Sequence, residues 1–144
     1  MHAPSLPDRA SAFTLIELLL VIAVIGIMSA LIVAAITNTA SDARMVLARQ
    51  QQAVFQEALN AWISSASSGT NSLQDARTTY NNQATAAAKL ALIQDYLDPS
   101  TYSHFTGFTT NTAQLQSDAM RKEGVYLQFT SWATNAYPRV NMGP

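Results

Sequence analysis

The chain has 144 residues, a formal net charge of −1 and no cysteine, and only 12% of its residues are charged, about half the share usual in soluble chains. The missing cysteine excludes a disulfide framework and a thiolate metal site. The eight Lys and Arg (Arg9, Arg44, Arg49, Arg77, Lys89, Arg121, Lys122, Arg139) are dispersed and give no basic face for nucleic acid.

Met1 to Ala12 (MHAPSLPDRASA) carries two prolines, one acid and one Arg, and reads as a leader too polar for the apolar region of a secretory signal. Phe13 to Ile36 (FTLIELLLVIAVIGIMSALIVAAI) then runs for twenty-four residues with a single charge, Glu17. As a helix rising about 1.5 Å per residue it is about 36 Å long, enough to cross a hydrocarbon core of about 30 Å. A soluble reading needs a helix apolar on all sides inside a large core, and a chain of this size has little room for one.

Glu17 is the informative residue of that run. A carboxylate in hydrocarbon costs roughly 2.5 kcal/mol or more unless it is paired or reaches water. Four apolar or neutral residues precede it in the run, so it is not a simple charged flank. Charge counting does not orient the span, because Arg9 and His2 on one side face Arg44 and Arg49 on the other. A conventional secretory signal cut near Ala35 or Ala40 is the rival processing route. Against it, the apolar run is too long, the preceding region is poor in basic residues, and Ala10-Ser11-Ala12 lies on the wrong side.

Ser11-Ala12-Phe13-Thr14-Leu15-Ile16-Glu17, followed by an apolar helix through Gly26, resembles the class III signal of type IV pilins and pseudopilins. The resemblance covers roughly residues 9 to 36. It implies cleavage between Ala12 and Phe13 by a prepilin peptidase on the cytoplasmic face, then N-methylation of Phe13. By the same resemblance Glu17 pairs with the new α-amine of Phe13, in its own subunit or a neighbour, and so recruits subunits into a filament. The implied partners are the prepilin peptidase/methyltransferase, other pilin or pseudopilin subunits, an inner-membrane assembly platform with its ATPase, and membrane lipid. Nucleic acid and cofactors are not among them. The implied location is the bacterial inner membrane, single pass, with the C-terminal domain periplasmic, and then a periplasmic or surface filament. Two positions depart from the family pattern. Ala12 stands where the family usually has Gly, and Ala34 stands where many members have a helix-softening Pro.

Thr37 to Asp42 contains no Gly or Pro, so the helix is expected to run on to about Ala66. From Ala43 it becomes amphipathic, with Leu47, Val54, Ala58 and Trp62 on one line and Val46, Phe55, Leu59 and Ile63 beside it. Ser64 to Ser72 reads as a connector and Asp75 to Leu97 as a second helix, ended by Asp98-Pro99-Ser100. Trp62, Tyr80 and Tyr96 read as packing residues. Ser100 to Thr112 is expected to hold a short strand or a loop, and Ala113 to Lys122 a short helix. Val125 to Trp132 alternates apolar and polar residues and is the clearest strand; Asn135 to Pro138 is a turn, and Arg139 to Met142 pairs back.

The resulting expectation is an α+β, pilin-like fold: a long N-terminal helix, a second helix and a small antiparallel sheet. Residues 1–12 form the leader, 13–36 the transmembrane half of the helix, 37–66 its amphipathic half and 67–144 a small distal domain. No catalytic set emerges. His104 is the only histidine after the leader, and there is no Gly-rich phosphate loop. Asp95, Asp98, Asp118 and Glu123 do not follow a calcium-loop spacing and read as solvated charges. The chain therefore reads as a structural subunit of a type IV pilus or type II secretion pseudopilus, not an enzyme. The alternative is a single-pass membrane-anchored periplasmic binding module that does not polymerise.

Overall fold

The computed structural model describes residues 14–68, 72–108 and 114–144. Among them, helix α1 spans Leu15–Ala66, and α2 (Leu73–Asn81), α3 (Ala86–Leu92), α4 (Pro99–Phe108) and α5 (Asp118–Glu123) follow. Two strands, β1 (Tyr126–Phe129) and β2 (Val140–Gly143), pair antiparallel with Leu127 opposite Met142 and Phe129 opposite Val140. The long apolar helix and small sheet make the fold α+β and pilin-like, as the sequence predicts. The chain divides into two compact units, Met1–Thr39 and Ala40–Pro144.

Helix α1 runs through Thr37 and Thr39 without a break. Both hydroxyls bond back to carbonyls of the preceding turn, Thr37 to Val33 at 3.0 Å and Thr39 to Ala35 at 2.9 Å, so neither competes as a cap. Within the second unit, α1 buries Ala48, Phe55, Ala58, Leu59, Trp62 and Ile63. This stripe differs from the predicted one: Val46, Leu47 and Val54 stay exposed, because the core partners gather round the line through Phe55 and Leu59. Phe55 meets Phe105 of α4 edge to face at 4.6 Å, and Tyr80 of α2 lies between Trp62 and Trp132 at 6.1 Å from each. Tyr80 and Trp62 are core residues, whereas Tyr96 is 40% exposed.

The predicted second helix is instead two helices and a single 3-10 turn at Gln94–Tyr96. Two polar side chains account for the break. Asn81 turns its amide to the backbone of Trp132, accepting from its N–H and donating to its carbonyl, both at 3.0 Å. Thr85 restarts the chain as an N-cap, accepting from the Ala88 N–H at 3.1 Å.

Asp98-Pro99-Ser100 begins a helix and does not end one. The Asp98 carboxylate accepts from the N–H groups of Ser100 and Thr101, and Pro99 occupies the first helical position, where its missing N–H costs nothing. The described part of the segment expected as strand or loop, up to Phe108, therefore lies in α4, and among the residues whose side chains are described its alternation conceals one buried side chain, Phe105; residues 109–112 lie outside the described residues. Helix α5 is shorter than predicted, starting behind the Ser117 cap and ending at Gly124, whose φ of 71° is the left-handed conformation glycine tolerates. Strand β1 keeps the predicted alternation, with Leu127 and Phe129 buried and Gln128 exposed. Leu115 extends the sheet by a bridge to Leu127, with 2.8 Å bonds in both directions.

Candidate functional site

The site singled out by the sequence lies at the start of α1. Thr14 is the residue before the helix and Glu17 is the third residue in it. The Thr14 N–H and hydroxyl both donate to Glu17 Oε2 at 2.9 Å, and the Glu17 N–H donates to Thr14 Oγ1 at 3.3 Å. This is a reciprocal capping box, satisfying backbone donors that a helix start leaves open. The carboxylate also lies in the first turn, where the helix dipole favours negative charge. Both bonds fall on one oxygen, so Oε1 takes no hydrogen bond among the described residues. Thr14 was not predicted as a site residue, although Thr-x-x-Glu ahead of an apolar run is the signature of such a box.

Beyond Glu17 the helix offers no polar surface until Thr37 apart from Ser29. Its large apolar side chains from Leu15 to Ile36 are all exposed, from 43% at Val24 to 83% at Leu15. Among the described residues this is one helix long and apolar enough to cross a membrane. A Cβ added at Gly26 meets nothing within 4 Å, so nothing among the described residues requires glycine there.

Ala12 and Phe13, the residues of the expected cut, lie outside the described residues. Of the four acids Asp95, Asp98, Asp118 and Glu123, three have separate partners. Asp98 caps α4, and Asp118 pairs at 3.1 Å with both Arg121 and Lys122. Glu123 accepts from the Ser41 hydroxyl at 2.7 Å and from Arg44 at 3.0 Å, while Asp95 is exposed. The hydrogen bonds of Ser100 and Thr101, of Lys122 and Arg121, and of Ser41 and Arg44 hold Asp98, Asp118 and Glu123, respectively, below their ordinary carboxyl values. Among the described residues no three His, Asp or Glu come together to hold a metal ion. His104 is exposed on α4, its ring edge-on to Phe105 at 5.8 Å.

Residues 8–33 match the family model described as the prokaryotic N-terminal methylation motif. The chain carries the type IV pilin and pseudopilin signal. That match takes in the Ala12/Phe13 junction, Thr14, Glu17 and much of the apolar helix, and supports a pilin- or pseudopilin-like precursor. No curated protein and no solved structure matches the chain.

Proposed function

We propose that the chain is a structural, non-enzymatic subunit of a type IV pilus or type II secretion pseudopilus. It is made as a precursor, cut between Ala12 and Phe13, N-methylated on Phe13 and assembled through its apolar helix and Glu17. The observation that carries this reading is the methylation motif on the apolar stretch of α1, Leu15 to Ile36, none of whose large side chains is buried among the described residues.

Cleavage creates an α-ammonium on Phe13, one residue before the capping box. Glu17 Oε2 is already held by Thr14, and Oε1 is the oxygen left to receive that ammonium from its own or a neighbouring subunit. Thr14 thus fixes the carboxylate that gives the apolar helices their one polar specification of register. Lipid satisfies apolar surface as well as another helix does, so burial alone does not drive helices out of the membrane. An inner-membrane platform and a cytoplasmic ATPase supply that work. Before extraction, the chain is a single-pass protein of the bacterial inner membrane with residues 67–144 in the periplasm.

Intact mass and N-terminal sequencing of protein from native membranes or sheared filaments test the reading. The expected mature chain begins at N-methyl-Phe13. An uncut chain means a plain anchor, and a chain beginning near Ala35 to Ser41 means a secreted domain; either defeats the proposal. Glu17→Ala is expected to leave insertion and cleavage intact while removing the subunit from filaments, as scored by immunoblot of the sheared fraction. Undiminished incorporation takes Glu17 out of the mechanism.

A further inference from the structure

The second unit has an open cleft of about 750 Å³ where α1 passes the segment leading into β2. Its charged residues are Arg49 and Arg139, and no Asp or Glu lines it. Neither guanidinium has a carboxylate partner among the described residues. A site with two unpaired cations, on a chain whose net charge is −1, favours an anion. Arginine offers a planar fork that matches a carboxylate with two parallel hydrogen bonds.

Two further features narrow the anion. Tyr137 projects beside the cleft, 58% exposed, its ring steadied by Trp132 at 5.6 Å between centroids. Around it, Asn60, Asn135 and Asn141 supply exposed carboxamides that donate and accept. Meanwhile the backbone of Val140 is already occupied: its N–H donates to Gln56 at 2.8 Å and its carbonyl accepts from Gln52 at 2.7 Å. An extended peptide cannot add as a further strand at that point, because the two glutamines take the bonds it would need. Recognition there falls to side chains: a flat phenol, carboxamides and two guanidiniums.

We propose that this cleft binds an acidic oligosaccharide of the uronic-acid class. The apolar face of a sugar ring lies on Tyr137, its hydroxyls bond to the asparagine amides, and its carboxylates pair with Arg49 and Arg139. This assignment is independent of the filament reading, since it uses only residues of the second unit.

The test is calorimetric titration of the full chain in detergent micelles with tetragalacturonate, maltotetraose and a hexaglutamate peptide. Tetragalacturonate is expected to bind, more weakly as salt rises, with maltotetraose at least about tenfold weaker. Tyr137→Ala, and Arg49→Gln combined with Arg139→Gln, are each expected to weaken it by about tenfold or more, while Arg77→Gln, outside the cleft, leaves it unchanged. The three altered residues are exposed, and far-ultraviolet dichroism with an unchanged thermal unfolding transition checks that the variants stay folded. Three results overturn the proposal: no binding of tetragalacturonate, equal binding of maltotetraose, or hexaglutamate binding as tightly with Tyr137→Ala without effect. The last outcome would make the cleft a site for acidic peptide.

Discussion

Helix α1 faces two different surroundings along its length. From Leu15 to Ile36 its large apolar side chains point in every direction and none is buried. From Ala48 to Ile63 it buries six residues on one side and shows Arg49, Gln50, Glu57 and Asn60 on the other. The second stretch finds its partners in its own chain; among the described residues the first has none, and its length and composition suit a membrane crossing. Secondary structure alone is therefore a poor guide to what a stretch is for, and the distribution of apolar residues round the helix carries the distinction.

Paired substitutions break that comparison most sharply. Phe55 is fully buried against Phe105, so Phe55→Ala is expected to cost about 3–5 kcal/mol in unfolding of the second unit. Ile25→Ala, 57% exposed in the apolar stretch, is expected to change the same transition by less than about 0.5 kcal/mol. Denaturant titration in detergent, followed by the fluorescence of Trp62 and Trp132, reads both. Equal effects would mean that the apolar stretch contributes to the core of the second unit.

A smaller effect tests how the second unit is held together. Its chain crosses from helix to strand through side-chain amides that act as backbone: Asn81 on Trp132, and Gln52 and Gln56 on Val140. Tyr80 adds a hydroxyl bond of 2.8 Å to the Thr130 carbonyl. Removing the Asn81 pair by Asn81→Ala is expected to cost about 1–3 kcal/mol, two bonds at about 0.5–1.5 each. Asn82→Ala, one residue on, is the control and should stay within about 0.5 kcal/mol. Protection of the Trp132 amide against hydrogen exchange gives a second readout, expected to fall in the first variant alone.

The same amides explain what was legible in the sequence. The apolar run, the continuation of α1 to Ala66 and the alternation of Leu127 and Phe129 are local patterns that composition and periodicity reveal, while the signal around Ala12 to Glu17 is legible through its resemblance to the pilin family. The break after Asn81 is not local, since its cause is Trp132, fifty-one residues away. Likewise the buried face of α1 is set by where distant residues such as Phe105 end up, so Val46, Leu47 and Val54 stay exposed although the local periodicity puts them on it. The misreading of Asp98-Pro99 is different in kind. Those residues stop one element and start the next, and the hydrogen-bonding direction of Asp98 decides between them. The Thr14 box was readable, but Glu17 read as a lone charge drew attention from the hydroxyl three residues before it.

The smallest expected effect concerns the contact between the start of the second unit's share of α1 and the end of α5. Glu123 has little exposed surface in its side chain, 14%, and is bonded by the Ser41 hydroxyl and by Arg44. Its folded carboxyl is held below the ordinary value of 4.5, first by Ser41 and then by Arg44. A group so depressed adds stability in full above that ordinary value and loses it as pH falls through the lower, folded one. Glu123→Gln is therefore expected to melt below the parent at neutral pH, with the gap closing at pH values under 4.5. Asp75, Asp98 and Asp118 are depressed as well, so acid weakens both proteins. Their contribution is common to parent and variant, and the difference between the two melting curves isolates Glu123. A gap that stayed constant from neutral pH through the acid range would show that neither the Ser41 hydrogen bond nor the Arg44 ion pair favours the ionised carboxyl, leaving packing as the whole contact.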